Sequence, residues 1–263
     1  MIAEQKTVLA RFLDTAGKYL EDGYRRPGEE CAVTAESGGE APDPRRAAPL
    51  SATPGDTPGE TPGDTPGDTP EGIAADIRSC RSCPLEAART NAVPGEGAEH
   101  PLVLVIGEGP GQDEDRTGRP FVGRAGQLLD KMLAAIDLRR EENCFITNVV
   151  KCRPPGNRDP EPMEALCCKP FLRRQISCLR PRSILCVGKV AANLLLETTE
   201  QAAIGSLRGR FFDYTATDTE GTGPIPVLAT YHPSALLRNE DLKRPAWEDL
   251  KLLRAKLEEL KGP

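Results

Sequence analysis

Two cysteines with two residues between them, Cys80 and Cys83, are a pair whose type and spacing suit metal chemistry. A loop that short can turn both sulfurs onto one metal or cluster. Cys152 and Cys168, with fifteen residues between them, supply a second pair. Four thiolates close either a zinc site or an iron–sulfur cluster, and spacing does not choose between them. Cys167 adjoins Cys168, so on chemistry alone the fourth ligand is ambiguous. Cys144 and Cys186 fall in apolar runs and suit small core residues, Cys178 ends an amphipathic stretch, and Cys31 reads as a free thiol.

A second group of candidates lies in three stretches. Gly107-Glu108-Gly109-Pro110-Gly111 lets the backbone turn sharply and approach a ligand closely. It lacks the Lys-Ser/Thr of a phosphate-binding P-loop and the full spacing of a dinucleotide fingerprint. Gly109 leaves room for a flat ring, and Glu108 sets a carboxylate at the pocket mouth. Glu114 and Asp115 could serve a metal, a water or a turn. Phe121 suits either the core or a stack on a base. Asn148 ends an apolar run; its amide offers one donor and one acceptor, which matches an edge showing a carbonyl beside an N–H, as uracil's O4 and N3–H do. It could equally turn the chain. His232, one of two histidines, follows another apolar run and suits a hydrogen bond to a carbonyl that gains negative charge. Leu236 or Leu237 could wedge into a base stack, and Arg238 could reach phosphate.

These residues need a frame. Apolar runs at 102–106, 144–149, 183–187 and 225–229 predict buried strands, and amphipathic stretches at 123–136, 161–178, 189–197 and 244–260 predict helices between and after them. That alternation predicts an α/β fold, a three-layer α/β/α sandwich on a four-stranded parallel sheet, with the candidate residues on the edge where the strands end. Residues 1–25 read as an amphipathic helix, and 26–72 as a disordered acidic tether built on a Thr-Pro-Gly-Asp/Glu repeat. The folded domain is expected over 73–263. Residues 27–72 hold ten acids against Arg45 and Arg46, so they carry a net −8 of the chain's −6 and leave +2 for the rest. A near-neutral body neither excludes nor supports a nucleic-acid partner. No apolar run of membrane-spanning length and no secretion-type segment is present, so a soluble, intracellular protein is expected, with its cysteines serving metal or catalysis before disulfides.

The stretches GEGPGQDEDRTGRPFVGRAGQLL, ITNVVKCRPPGNRDP and YHPSALLR occur in this order and together resemble the family 4 (thermostable-type) uracil-DNA glycosylases. The similarity runs over 73–260 and leaves out the N-terminal helix and the tether. The resemblance implies excision of uracil from DNA by hydrolysis of its N-glycosidic bond, and a 4Fe-4S cluster on Cys80, Cys83, Cys152 and Cys168. It prefers Cys168 to Cys167 because the family's fourth ligand precedes a Pro-Phe-Leu-like step, here Cys168-Lys169-Pro170-Phe171-Leu172. It implies a uracil pocket of Glu108, Gly109, Phe121, Asn148 and His232, with His232 on O2. The water-positioning Asp common in the wider superfamily is replaced here by Gly109, so Glu108, Glu114 and the backbone groups near Gly109 all stand as candidates for that role. Glu108 also separates the chain from the related family 5. The implied partner is uracil-containing DNA, with no membrane, a monomeric state and a nucleoid-associated cytoplasmic location. The N-terminal helix, outside the resemblance, reads as docking on the main domain, with a repair or replication protein as its alternative partner. Three other readings stay open here: an iron–sulfur nucleic-acid-binding module without glycosylase activity, a redox protein, and a glycosylase of broader deaminated-base range.

Overall fold

The structure, a computed structural model, describes residues 68–198, 202–215 and 223–261. The expected N-terminal helix and the tether up to residue 67 lie outside these. Among the described residues no helix is long and apolar enough to cross a membrane.

Helix α1 (Pro70–Ser79) starts inside the last Thr-Pro repeat. Thr69 caps it, its Oγ1 accepting from the Gly72 N–H at 3.1 Å, and Pro70 takes the first helical position, where its missing N–H does no harm. The folded part therefore begins before residue 73, because the dipeptide that breaks helices in the repeat also starts one well. Asp68 extends it further through a paired contact with Arg174 at 2.7 Å. Then follow α2 (Leu85–Ala88), β1 (Glu96–Gly97), β2 (Val103–Gly107), α3 (Gln112–Thr117), α4 (Arg124–Ala134), β3 (Cys144–Asn148), α5 (Pro162–Leu179), β4 (Ser183–Val187), α6 (Lys189–Leu195), α7 (Ile204–Leu207), β5 (Phe211–Tyr214), β6 (Ile225–Thr230), α8 (Pro233–Arg238) and α9 (Lys243–Lys261).

The four apolar runs form the parallel strands β3, β2, β4 and β6 in that spatial order. The sheet is nevertheless six-stranded: β1 pairs antiparallel with β3, and β5 pairs antiparallel with β6. The expected four-stranded sheet is the centre of this one. Its edges escaped notice because β1 is two residues long and β5 is only half buried, so neither carries an apolar run.

The pleat sends alternate residues of each central strand to opposite faces. Leu104, Ile106, Ile184, Cys186, Val227 and Ala229 pack on one side with Leu172, Ile176 and Leu179 of α5. Val103, Val105, Ile146, Leu185 and Val187 pack on the other with Leu129 and Leu133 of α4 and Leu250 and Leu253 of α9. Each Val, Leu or Ile among them taken fully from water contributes roughly 1.5–3 kcal/mol. Strands buried on both faces must read as continuous apolar runs, which is what made them visible.

Candidate active site

The chain leaves β2 toward β3 on one side and leaves β4 toward β6 on the other. Loops that diverge in this way open a crevice at the strand ends. The crevice here holds Glu108–Gly111 after β2, Asn148 and the 154–159 loop after β3, Gly188 and Lys189 after β4, and Tyr231, His232, Ser234, Ala235 and Arg238 after β6. Its cavity volume is about 650 Å³. That lies within the 300–1,000 Å³ of an ordinary small-ligand pocket and leaves ample room for one flat ring.

Gly107 brings the first pair of candidates together. A Cβ there would collide with the Asn148 Oδ1 and stand 2.5 Å from the Phe121 Cζ. Only glycine lets the Phe121 ring and the Asn148 carboxamide meet over the end of β2. Asn148 is 1 % exposed, and its Oδ1 has no hydrogen-bond partner. A buried acceptor left unpaired costs about 1–3 kcal/mol. Phe121 holds a left-handed backbone, φ 52°, which a non-glycine residue adopts at a cost of order 1–3 kcal/mol. Four hydrogen bonds hold it there. The Glu114 Oε1 accepts from the N–H groups of Val122 at 2.8 Å and Gly123 at 2.9 Å. The buried Arg140 donates to the carbonyls of Pro120 at 3.0 Å and Phe121 at 3.1 Å.

The His232 ring lies 5.7 Å from the Phe121 ring, tilted by 34°. Its Nδ1 accepts from the Ser234 backbone N–H at 3.2 Å and faces the Ser234 hydroxyl at 2.8 Å. Burial, reinforced by nearby Arg238, pushes the ring down to about 4. His232 is therefore neutral at physiological pH, and with Nδ1 accepting, its proton sits on Nε2 as a donor for a ligand.

The two glutamates part company. Glu114 Oε2 accepts from the Gly111 N–H at 3.1 Å while its Oε1 holds Val122 and Gly123, so it ties the glycine loop to the Phe121 turn. Neighbouring Asp115 is buried and takes the N–H groups of Thr90 at 2.8 Å and Asn91 at 3.2 Å. Glu108 has no such backbone clamp. Burial first, and then the charge of Asp159, push it up to about 7, while Lys189 pulls it back. Asp159 and Lys189 are themselves paired at 3.1 Å. A Cβ on Gly109 would stand 2.7 Å from Val150 Cγ2, so that glycine serves close packing of two loops as well as any bound ring.

Of the two leucines expected to wedge into a base stack, Leu236 is 2 % exposed and part of the core, which corrects its assignment. Leu237, 43 % exposed, and the exposed Arg238 are at the surface beside the crevice. Arg140, Asp159, Lys189, Tyr231 and Ser234 belong to the site and were not singled out from sequence, and Gly107 was read only as part of the glycine loop. Ser234 alone had a signal, a hydroxyl two residues after a histidine.

Apart from the crevice, Cys80, Cys83, Cys152, Cys167 and Cys168 line one small cavity with Arg89, Lys151 and Phe171. Arg89 bridges it, donating to Cys152 Sγ at 3.0 Å, to the Arg78 carbonyl at 2.9 Å and to the Cys80 carbonyl at 3.0 Å. Burial pushes Cys168 up to about 11, against a hydrogen bond from the Lys151 backbone N–H. Burial also raises Cys83, and the nearby thiols of Cys152, Cys167 and Cys80 add to that. Among the described residues, no three Cys, His, Asp or Glu side chains group so as to hold a single metal ion.

The crevice at the strand ends, with its stacked ring and buried amide, defines a class. The sequence pattern of the uracil DNA glycosylase superfamily matches residues 94–251, which include Glu108, Phe121, Asn148 and His232. The chain is 44% identical over 184 residues to a type-4 uracil-DNA glycosylase of Archaeoglobus fulgidus, covering 69% of this chain and 89% of that protein. It is 41% identical to one of Saccharolobus solfataricus, at 70% and 85% coverage, and 42% identical to one of Thermotoga maritima, at 68% and 90%. The chain belongs to the uracil-DNA glycosylase superfamily, in its type-4 branch.

Proposed function

We propose that this chain hydrolyses the N-glycosidic bond of uracil in DNA, releasing the free base and leaving an abasic site. The observation that carries this reading is the unpaired Asn148 Oδ1, buried beside the Phe121 ring in the crevice. An acceptor in that position is completed by a ring N–H, and uracil offers its N3–H. Cytosine offers an unprotonated N3 and leaves the acceptor unpaired, a difference of about 1–3 kcal/mol.

A base inside a duplex is out of reach, so the nucleotide is flipped out at a cost of a few kcal/mol, lower for a mismatched pair. Phe121 stacks on the ring, and Leu237 and Arg238 meet the DNA beside the crevice. Breaking the bond leaves negative charge on the base. The neutral His232 donates its Nε2–H to O2 as that charge grows, an interaction that strengthens toward the transition state. Both oxygens of Glu114 serve backbone donors, so the role of orienting the attacking water goes to Glu108, and Glu114 shapes the loop.

The cysteine cavity fits a 4Fe-4S cluster. Crowded, buried thiols are unfavourable as bare anions and favourable around a shared cationic group. A four-iron cluster gives each thiolate its own iron, so its ligands need not converge on one point. Cys80, Cys83, Cys152 and Cys168 would hold it, with Cys168 preferred to Cys167 as the more deeply buried of the neighbours. When bound, it supplies a covalent tie among the end of α1, the loop after β3 and helix α5.

The test is excision from a labelled duplex bearing one U·G pair, read as alkali-induced cleavage at that site, with Asn148→Ala alongside. Cleavage by the parent protein and little by the variant is expected. Failure to cleave by protein with full iron content would turn the reading toward a binding module.

A further inference from the structure

Lys151 is 1 % exposed, and the reaction outlined above does not use it. Lysine is almost never fully buried unless paired, and among the described residues no carboxylate pairs with it. Its Nζ donates instead to Thr147 Oγ1 at 2.7 Å, to the Asn148 backbone carbonyl at 2.7 Å and to Gln175 Oε1 at 2.8 Å. When protonated, the amine has three donors, one for each of these oxygens. The partners are fixed in turn. Thr147 Oγ1 and Gln175 Nε2 both donate to the Pro94 carbonyl, at 2.9 and 2.8 Å. The Lys151 carbonyl accepts from the Val93 N–H at 2.7 Å. The side chain thus arches back over its own turn and pins β3's last two residues to α5 and to the 93–94 segment.

We propose that Lys151 is a positioning residue: through the Asn148 carbonyl it fixes the peptide that aims the Asn148 carboxamide into the base pocket, and it joins that pocket to the cysteine cavity beside it. The second half follows from the main chain. Lys151 lines the cysteine cavity, its backbone N–H bonds to Cys168, and Cys152 is the next residue. One five-residue stretch, Asn148 to Cys152, therefore carries the pocket's amide at one end and a candidate cluster ligand at the other, with Lys151 bonded to both sides. A carboxamide buried against an aromatic ring has no partner of its own at Oδ1, so its aim depends on the peptide that carries it.

The inference rests on Asn148 reading the base, and the experiment separates the two. Iron-replete parent protein, Lys151→Met, Asn148→Ala and the double variant are compared for single-turnover excision of U·G. Affinity for a duplex with an abasic site and inhibition by free uracil are measured alongside. Lys151→Met is expected to retain its iron and to excise roughly 10²-fold more slowly, the scale of a small misplacement of a reacting geometry. Free uracil should inhibit it less, while abasic-duplex affinity stays unchanged, a split that general loosening of the fold would not give. The double variant should be no slower than Asn148→Ala, since both changes act through one group. Excision by Lys151→Met at the parent rate, losses that add in the double variant, or equal falls in uracil and abasic-duplex binding would overturn the proposal. Asn148→Ala at the parent rate would remove the base-reading role itself, and the inference with it. Should Lys151→Met come out without iron, Thr147→Val decides, since it deletes one of the three oxygens and no charge. It is expected to show the same split with a loss of roughly tenfold, and parent behaviour there would overturn the proposal.

Discussion

Glu108, Asp159 and Lys189 put two acids and one base at the mouth of the crevice, each from the loop after a different strand. Two carboxylates within hydrogen-bonding reach bond to each other only by sharing a proton, and burial favours placing it on Glu108, pushed up to about 7. A water-orienting carboxylate must be ionised. The sign is then fixed: below about 7 the carboxyl is protonated and the rate is low; above it the carboxylate forms and the rate levels off. Single-turnover excision should rise about tenfold per pH unit on the acid side of 7 and be flat above it. Glu108→Gln should lower the plateau and abolish the rise. His232, held down to about 4, does not change charge in this range and adds no second limb above pH 5. A profile that is flat from pH 5 to 9 would return the water to Glu114 or to the backbone. At the other end of the bond, His232→Ala removes one donor to the departing base. Excision should slow by roughly 10²–10³ while abasic-duplex affinity is unchanged. A loss in affinity as large as the loss in rate would mean that the histidine binds DNA rather than stabilising the leaving group.

The elements that carry these residues differ in how plainly the sequence announces them. β2, β3, β4 and β6 are buried on both faces, so their apolar runs named them to within a residue or two. With four parallel strands assigned, the edge where they end followed, and Glu108, Phe121, Asn148 and His232 do line one crevice there. The rest depends on contacts that no local pattern encodes. Arg140 sits in a connecting loop, nineteen residues along the chain from the Phe121 carbonyl it holds. Leu236 and Leu237 are both apolar and adjacent, and only the packing of α8 decides that the first is core. The glycine loop was read as clearance for a ring at Gly109, whereas within that loop it is at Gly107 that a Cβ would meet both the Phe121 ring and the Asn148 amide. Gly107→Ala therefore tests the end of β2 as an element. The new methyl must displace the Phe121 ring or the Asn148 amide. Excision is expected to fall roughly 10²-fold or more, from a misplaced geometry. The circular dichroism spectrum and iron content should stay those of the parent, because the strand's hydrogen bonds to β3 and β4 are untouched. Parent-like excision would show that the crevice relaxes around a methyl and that the contact does not constrain the site.

At the scale of the molecule, α1 leads from the last Thr-Pro repeat to the cysteine cavity. Thr69 caps its first turn, and Cys80 closes its last, eleven residues on. Between them Ile73 and Ile77 pack with Ala92 against Phe171 of α5. At the junction, the Asp68 carboxylate lies on Arg174 of α5, which holds Asp68 below the usual carboxylate range, and Asp76 pairs with the same guanidinium at 2.8 Å. Losing a Thr cap costs about 1 kcal/mol, and a frayed first turn is transmitted along a helix of under three turns to its other end. Where the chain is cut therefore decides how firmly Cys80 is held. A protein starting at residue 65 keeps Asp68 and Thr69; one starting at residue 72 keeps every cysteine of the cavity but loses the cap and the Asp68–Arg174 pair, with only Asp76 left on that guanidinium. The shorter protein should melt lower, by about 2–4 °C for each kcal/mol lost in a domain of this size. It should also release iron to a chelator faster. At temperatures well below its melting point it should excise uracil at the rate of the longer one, since no crevice residue has changed. Equal melting and equal iron release by the two proteins would show that α1 is held by its apolar contacts alone. A loss of excision in both, relative to the full chain, would instead place part of the DNA-binding surface before residue 65.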